Sequence, residues 1–197
     1  MANSNTQGFG LTPSRIMGST PATQGQGQYW IDAADGTAIY NGEAVYTAGG
    51  YIVGAQGAAT TATLGTLNGV FYNAATTLKP TWNNYYPGSI TPANSEDIKA
   101  YVYDAPFQVF EVGTDDAVAA NIPAAHVKFF ETFGMNTTAG STTTGKSSAT
   151  LNIGATSATA NQWKLIGLAE DPSNEDMTAA YCTVFVVQNL NEIIDSA

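Results

Sequence analysis

Charged side chains are scarce in this chain, and basic ones above all. Only 11% of its 197 residues are charged, against about 25% in an average soluble domain. Six basic residues stand against 16 acidic ones and give a net charge of −10; they are scattered as Arg15, Lys79, Lys99, Lys128, Lys146 and Lys164. Because phosphate binding depends on clustered Lys and Arg, the sequence predicts no nucleic-acid partner.

Histidine and cysteine each occur once, as His126 and Cys182. One imidazole cannot build a multi-histidine metal site, and one thiol cannot form an internal disulfide. Cys182 lies in the run Tyr181-Cys182-Thr183-Val184-Phe185, which is typical of a buried strand, whereas His126 lies near a predicted turn. We therefore expect no thiol–histidine pair, no cofactor and no catalytic machinery.

Long apolar runs are also lacking. No stretch approaches the roughly 18 apolar residues that a membrane-spanning helix needs. The N-terminus, Met1-Ala2-Asn3-Ser4-Asn5, has neither the basic nor the apolar region of a secretory signal. We expect a protein that is made and used in soluble form, with no membrane partner.

Short runs of β-branched and aromatic residues, divided by turn residues, fill the chain from Tyr29 onward. The predicted strands cover residues 29–31, 43–47, 51–53, 64–72, 98–103, 107–112, 148–153, 162–169 and 181–188, and a short helical turn opened by Pro123 precedes a strand within 127–133. Gly49-Gly50 predicts a hairpin turn and Asn68-Gly69 a bulge or tight turn, while 98–112 is predicted as a central hairpin. We expect an all-β, mainly antiparallel fold, a β-barrel or β-sandwich with little helix.

Residues 1–27 are predicted as an extended N-terminal arm, ahead of a single β-rich domain over 28–197. The arm holds five glycines and two prolines, which leaves no room for a helix of useful length. It also carries Phe9, Leu11, Arg15 and Ile16, side chains that a merely solvated tail does not need. We interpret these four as contacts to a partner protein; a floppy terminus is the alternative.

A long connection between predicted strands carries Trp82, Tyr85 and Tyr86 between Pro80 and Pro87. Aromatic residues in a Pro-bounded loop usually pin the loop to the protein body. A binding surface is the other interpretation, and all three residues are therefore candidate partner contacts.

The stretch Gly140-Ser141-Thr142-Thr143-Thr144-Gly145-Lys146-Ser147 satisfies the phosphate-loop expression G-x-x-x-x-G-K-[ST] in full. A working phosphate loop leads into a helix whose N-terminal amides hold the phosphates. Here the residues from Ser147 to Thr156 have poor helix propensity and include Gly154. We interpret the stretch as an exposed or partner-facing hairpin loop, with nucleotide hydrolysis as the less favoured alternative.

Three acidic pairs are the remaining candidates for chemistry: Asp115-Asp116, Glu170-Asp171 and Glu175-Asp176. Paired carboxylates can bind calcium or act as acid and base. None of the three has the alternating ligand spacing of an EF-hand loop, so we predict a solvated acidic turn around Pro172-Ser173-Asn174 and no metal site.

Several stretches in a fixed order carry a resemblance over most of the chain: Gly8-Phe9-Gly10-Leu11-Thr12-Pro13 with Arg15, Gly69-Val70-Phe71-Tyr72, Lys79-Pro80 through Tyr85-Tyr86-Pro87-Gly88, Ile98 to Val112, Ser141 to Gly145, and Leu165-Ile166-Gly167-Leu168 with Asp171-Pro172. Together they resemble the head decoration (cement) proteins of marine tailed bacteriophages. The resemblance implies a homotrimer, made in the host cytoplasm, that binds the outer surface of an icosahedral capsid. The implied partner is the major capsid protein, whose capsomers it clamps against internal pressure.

Two further functions stay open. Another virion part, such as a tail or fibre component, would share the low charge and the Gly/Thr/Asn-rich strands, and its location on the particle would separate it. A carbohydrate-binding β-sandwich would use Trp82, Tyr85 and Tyr86 as a stacking platform, and glycan binding lost on Trp82→Ala would favour it.

Overall fold

The computed structural model describes residues 3–18, 25–55, 60–136, 138–157 and 161–194. Its strands are β1 Thr12–Ile16, β2 Gly27–Ile31, β3 Ala44–Ala48, β4 Tyr51–Gly54, β5 Gly65–Asn73, β6 Pro80–Asn83, β7 Ile98–Tyr103, β8 Gln108–Gly113, β9 Thr132–Asn136, β10 Thr150–Ser157, β11 Trp163–Leu168 and β12 Thr183–Gln188. Among these residues one α-helix, α1, covers Ile122–Lys128, and a 3₁₀ turn covers Ala93–Ser95.

Two six-stranded sheets hold these strands. Sheet I has the order β1-β8-β12-β11-β9-β10; sheet II has the order β2-β7-β5-β3-β4, with β6 paired to the end of β5. The ladders between the named strands are antiparallel. The arrangement is sandwich-like and is not a closed barrel, so the all-β, mainly antiparallel prediction is confirmed.

The chain divides between the sheets at the connection from β7 to β8. Sheet II takes β2 to β7 in one continuous stretch, whereas sheet I takes β1 and everything from β8 onward. The predicted central hairpin over residues 98–112 is therefore wrong, because its two strands lie in different sheets. The reason is burial: Ile98 and Val102 enter one hydrophobic core, while Phe110 and Val112 enter the other.

Each sheet has a core of its own. The core of sheet I, core I, is built around Phe110, Phe133, Trp163 and Leu165, and that of sheet II, core II, around Ile31, Val45, Leu67, Val70 and Ile98. Strand β3 contributes to both, because Val45 lies in core II while its neighbour Ala44 lies in core I. Successive side chains of a strand point to opposite faces, so β3 joins the two cores.

The predicted turn chemistry is confirmed at two places. Gly49 and Gly50 have φ angles of 61° and 90° between the paired residues Ala48 and Tyr51, which is the twist that a two-residue hairpin turn requires. The pairing of β5 with β7 shifts register between Leu67 and Gly69, so Asn68-Gly69 forms a bulge.

The short helix that Pro123 was predicted to open is confirmed as well. Asn121 caps α1, since its Oδ1 accepts a hydrogen bond of 3.0 Å from the Ala124 N–H, and Pro123 occupies the first turn, where its missing donor costs nothing. Strand β9 follows. Two strands were not predicted: β1, which lies in the predicted arm, and β6, which lies in the aromatic connection.

The described part of the predicted arm is extended but lies along its own chain. The Ser4 N–H donates to the Ser173 carbonyl at 2.9 Å, and the Asn5 N–H donates to Asn174 Oδ1 at 2.7 Å. Beyond these, β1 completes sheet I beside β8, and Leu11 is only 1% exposed within core I. The remainder of the arm, residues 1, 2 and 19–24, lies outside the described residues.

Leu11→Ala tests whether this segment belongs to the fold. Removing a fully buried leucine side chain costs about 2 to 5 kcal/mol, so we expect the free energy of unfolding in urea to fall by that amount. Met17→Ala, at a side chain 47% exposed on the same segment, is the control and should change it by less than about 0.5 kcal/mol. Equal stability of both variants would contradict a structural role for Leu11.

Candidate functional site

The free edge of sheet I at β1 presents the first candidate surface. Arg15 is exposed and Ile16 half-buried, and the large side chains of Met17 and Phe107 beside them are 47% and 59% exposed. The Met17 N–H donates to the Phe107 carbonyl at 2.9 Å, which holds the two side chains at one place. We call Arg15, Ile16, Met17 and Phe107 the β1 strip.

Neighbouring side chains fix the β1 strip. The Arg15 guanidinium carbon lies 5.0 Å from the centre of the Phe185 ring, a cation–π contact. The Gln108 side-chain amide donates to the Arg15 carbonyl at 2.9 Å, and the Ser14 hydroxyl donates to Glu111 Oε1 at 2.8 Å. The strip is therefore a preformed surface at an edge that offers backbone groups to another strand.

The other two predicted arm contacts lie differently. Leu11 is buried in core I, which leaves its side chain no surface for a partner. Phe9 is half-buried against Gly113, where an added Cβ would lie 3.4 Å from the Phe9 ring. Of the four arm residues, Arg15 and Ile16 are the ones that share the strip.

The three aromatic residues predicted as partner contacts, Trp82, Tyr85 and Tyr86, lie in three different environments. Tyr86 is fully buried in core II and its hydroxyl donates to the Asp35 carbonyl; burial raises the pKa of Tyr86 to about 12. Tyr85 stacks on Tyr40, with ring centres 5.5 Å apart and planes 1° apart.

Trp82 remains 51% exposed, but its indole lies over the backbone of β5. A Cβ added at Gly69 would come within 2.5 Å of Trp82 Cζ2, so only glycine leaves room for the ring. The ring centre also lies 5.4 Å from that of Tyr101. The three residues therefore do not form one stacking platform.

A cleft on sheet II collects another set of aromatic residues, which the sequence analysis missed. It measures about 560 Å³ and is lined by Trp30, Gly49, Gly50, Tyr51, Phe71, Tyr72, Asn73, Glu96, Asp97 and Lys99. We call it the Trp30 cleft. Trp30 pairs with Lys99 across β2 and β7, and Lys99 pairs with Phe71 across β7 and β5. Directly paired residues share a face, but that signal exists only once the strand order is known.

The polar wall of the cleft is ordered by a hydrogen bond. The Tyr51 hydroxyl donates to Asp97 Oδ2 at 3.0 Å. This bond and the nearby carboxylate charge raise the pKa of Tyr51, so the phenol stays protonated and remains a donor. Lys99 Nζ lies 5.7 Å from the centre of the Trp30 ring.

A third surface surrounds α1. Ile122 is 56% exposed, Val127 72% and Phe130 68%, and Phe130 has a φ of 68°, which is rare for an aromatic residue. We call these three residues the α1 patch. Three large, exposed apolar side chains within nine residues of the chain indicate a contact surface.

The phosphate-loop sequence does not lead into a helix. Residues 138–149 form turns and extended backbone, and β10 follows. Gly145, with φ 70°, passes close to the Asn84 side chain, whose amide donates to the Thr144 carbonyl at 2.7 Å. The backbone of the phosphate-loop sequence is therefore hydrogen-bonded to Asn84, in the connection after β6.

The acidic residues serve local structure. Asp115 accepts bonds from the Ile153 N–H at 2.8 Å and from the Asn136 amide at 2.6 Å. Asp171 accepts from the Ser173 N–H and the Asn174 amide, bonds that lower its pKa. Within the described residues no group of three metal-ligating side chains comes together.

His126 and Cys182 occupy unlike surroundings. His126 is exposed on α1, with its ring centre 5.3 Å from that of Phe129. Cys182 is fully buried in core I. Burial, with Asp176 and Glu175 adding to it, raises the pKa of the thiol from 9.0 to about 11.

Comparison with protein families, with curated proteins and with solved structures finds no match. In the part of the chain that the structure describes, no helix is both long and apolar enough to cross a membrane.

The burial of Cys182 predicts a slow thiol. At pH 8 we expect Ellman's reagent to react with the folded chain at least about 100-fold more slowly than with the chain in urea, because so little of a thiol with a pKa near 11 is ionised and none of it is accessible. The neutral thiol contributes to stability below pH 9, and that contribution is lost as the pH rises through about 11. Equal rates in both states would contradict this.

Proposed function

We propose that the chain is a structural virion protein that binds the outer surface of an icosahedral phage capsid and stabilises contacts between capsomers of the major capsid protein. The observation that carries the proposal is the β1 strip, where an edge strand meets two exposed apolar side chains, Met17 and Phe107. The resemblance to head decoration proteins supplies the identity of the partner.

The strip suits binding to another protein for two reasons. An edge strand can accept a further strand through main-chain hydrogen bonds, and neighbouring side chains then provide specificity. The exposed Arg15, held over Phe185, adds a positive charge to a surface whose apolar side chains lose water on binding.

The charge of the whole chain supports an exterior location. A net charge of −10 is repelled by packaged nucleic acid, whereas few charges need to lose water when a weakly ionic surface is covered. The proposed action is mass action: a protein that binds the assembled shell, and not its separate subunits, shifts the equilibrium toward the shell.

The α1 patch supports the homotrimer that the resemblance implies. Its three apolar side chains lie on α1 and just beyond it, apart from the β1 edge, so a contact with another copy and a contact with the shell can use different surfaces. Binding through three linked sites raises the effective affinity for a shell without new contacts at any one site.

Met17→Ser with Phe107→Ser tests the β1 strip. In co-sedimentation with empty capsids of the virus whose genome encodes the chain, we expect the unsubstituted protein to bind to saturation and the double variant to bind at least about tenfold more weakly, since two apolar contacts are lost. Ile193→Ser with Ile194→Ser is the matched control, because those side chains are 50% and 52% exposed and lie outside the strip; it should bind normally.

Two results would overturn the proposal. The unsubstituted protein could fail to bind capsids, or cryo-electron microscopy of the particle could place the chain in the tail or a fibre. Deleting residues 1–20 is not a clean test, because the deletion removes β1 and the buried Leu11 together with Arg15 and Ile16.

Val127→Glu with Phe130→Glu tests self-association. Sedimentation equilibrium of the unsubstituted protein should give three chain masses, and a buried, unpaired carboxylate at each patch should shift the variant to one. Because both side chains are exposed in the single chain, the unfolding midpoint of the separated chain should change little. A monomeric unsubstituted protein would remove the trimer from the proposal and leave capsid binding to its own test.

A further inference from the structure

The Trp30 cleft has the composition of a small-molecule site rather than of a solvated surface. Its volume of about 560 Å³ falls within the usual range for ligand pockets, about 300 to 1,000 Å³. It combines aromatic walls with a few convergent polar groups, which is the general make-up of such pockets. The β1 strip and the α1 patch lie on other strands and loops, so the cleft has no part in the function proposed above.

One wall presents a flat ring that is fixed but not hidden. Trp30 is 40% exposed on β2, and the ammonium group of Lys99 lies 5.7 Å from the ring centre, a cation–π contact that limits rotation of the indole. Phe71 continues the row on β5. The exposed part of the indole offers an apolar surface for stacking to a ligand with an apolar face of its own.

The other wall carries side chains that form hydrogen bonds. Asp97 Oδ2 accepts the hydrogen bond from the Tyr51 hydroxyl, and an ionised carboxylate has further acceptor sites. Glu96 is exposed beside it, and the amide of Asn73 lines the same space. The Gly49-Gly50 turn forms the rim, and a Cβ at either residue would meet no other atom within 4 Å, so no side chain obstructs the opening.

The charges in the cleft narrow the ligand class. Two carboxylates, Glu96 and Asp97, disfavour an anion, while the positive charge of Lys99, 5.7 Å from the centre of the Trp30 ring, disfavours a cation at the indole. A ligand with apolar C–H faces, many hydroxyl groups and no net charge satisfies both walls. We propose that the Trp30 cleft binds a neutral oligosaccharide, which stacks on Trp30 and donates hydroxyl hydrogen bonds to Asp97 and Glu96.

Titration calorimetry with the full chain tests this. The probes are four neutral sugars, namely cellotriose, maltotriose, mannotriose and triacetylchitotriose, together with anionic sialyllactose and fully deacetylated, cationic chitotriose. We expect at least one neutral trisaccharide to bind more tightly than both charged ones. Trp30→Ala should weaken that binding at least about tenfold, and Asp97→Asn several-fold, because the amide keeps an acceptor for Tyr51 but loses the charge.

Trp82→Ala is the matched control. Trp82 is the other exposed tryptophan, at 51%, it lies on the same sheet, and it is outside the residues that line the cleft; its removal should leave sugar binding unchanged. Thermal unfolding of each variant checks that the sheet is intact. The Trp30→Ala variant should bind capsids as well as the unsubstituted protein does. The capsid proposal and the sugar-binding proposal can therefore be contradicted independently.

Three results would overturn the inference: no neutral trisaccharide binds at millimolar concentration, a charged probe binds more tightly, or Trp30→Ala and Trp82→Ala have the same effect.

Discussion

The passage of residues 8–11 between the two sheets is the constraint on which the rest of the structure depends. Leu11 enters core I while its N–H donates to the Gly42 carbonyl at 2.8 Å, and the Gly10 N–H donates to the Ala149 carbonyl at 3.1 Å. A Cβ at Gly10 would lie 2.8 Å from the Gly42 carbonyl oxygen, and φ there is 75°. The chain can pass only because residue 10 is glycine, and this passage places β1 beside β8.

Hydrogen bonds within the β scaffold occupy several of the polar side chains that were candidates for chemistry. Asp115 and Asp171 hold turns and strand ends, and the one thiol is buried in core I. Among the described residues, the β1 strip, the α1 patch and the Trp30 cleft are surfaces with exposed apolar or aromatic side chains, and the strip and the cleft also carry charged ones. The paired strands keep each of these surfaces in shape.

Strand identity was predictable wherever local pattern and burial agree. The alternation in Ile98, Ala100 and Val102 marks a strand with one buried face, and Gly49-Gly50 marks a hairpin turn, because both signals depend on neighbouring residues alone. The error at 98–112 arose because the same pattern fits a strand pair in one sheet or in two. Strand β6 was missed because Pro80 and a single tryptophan among polar residues carry little β signal.

The sequence by itself determined the class of fold, the positions of most strands and the scarcity of reactive groups, because these follow from composition and from two-residue periodicity. Only the tertiary structure decided which strands pair, that Leu11 and Tyr86 are buried, and that Trp30, Phe71 and Lys99 share one face. The reason is that pairing between strands far apart in the chain depends on the whole set of long-range hydrogen bonds and cores. Which residues share a contact surface therefore depends on how the strands pair.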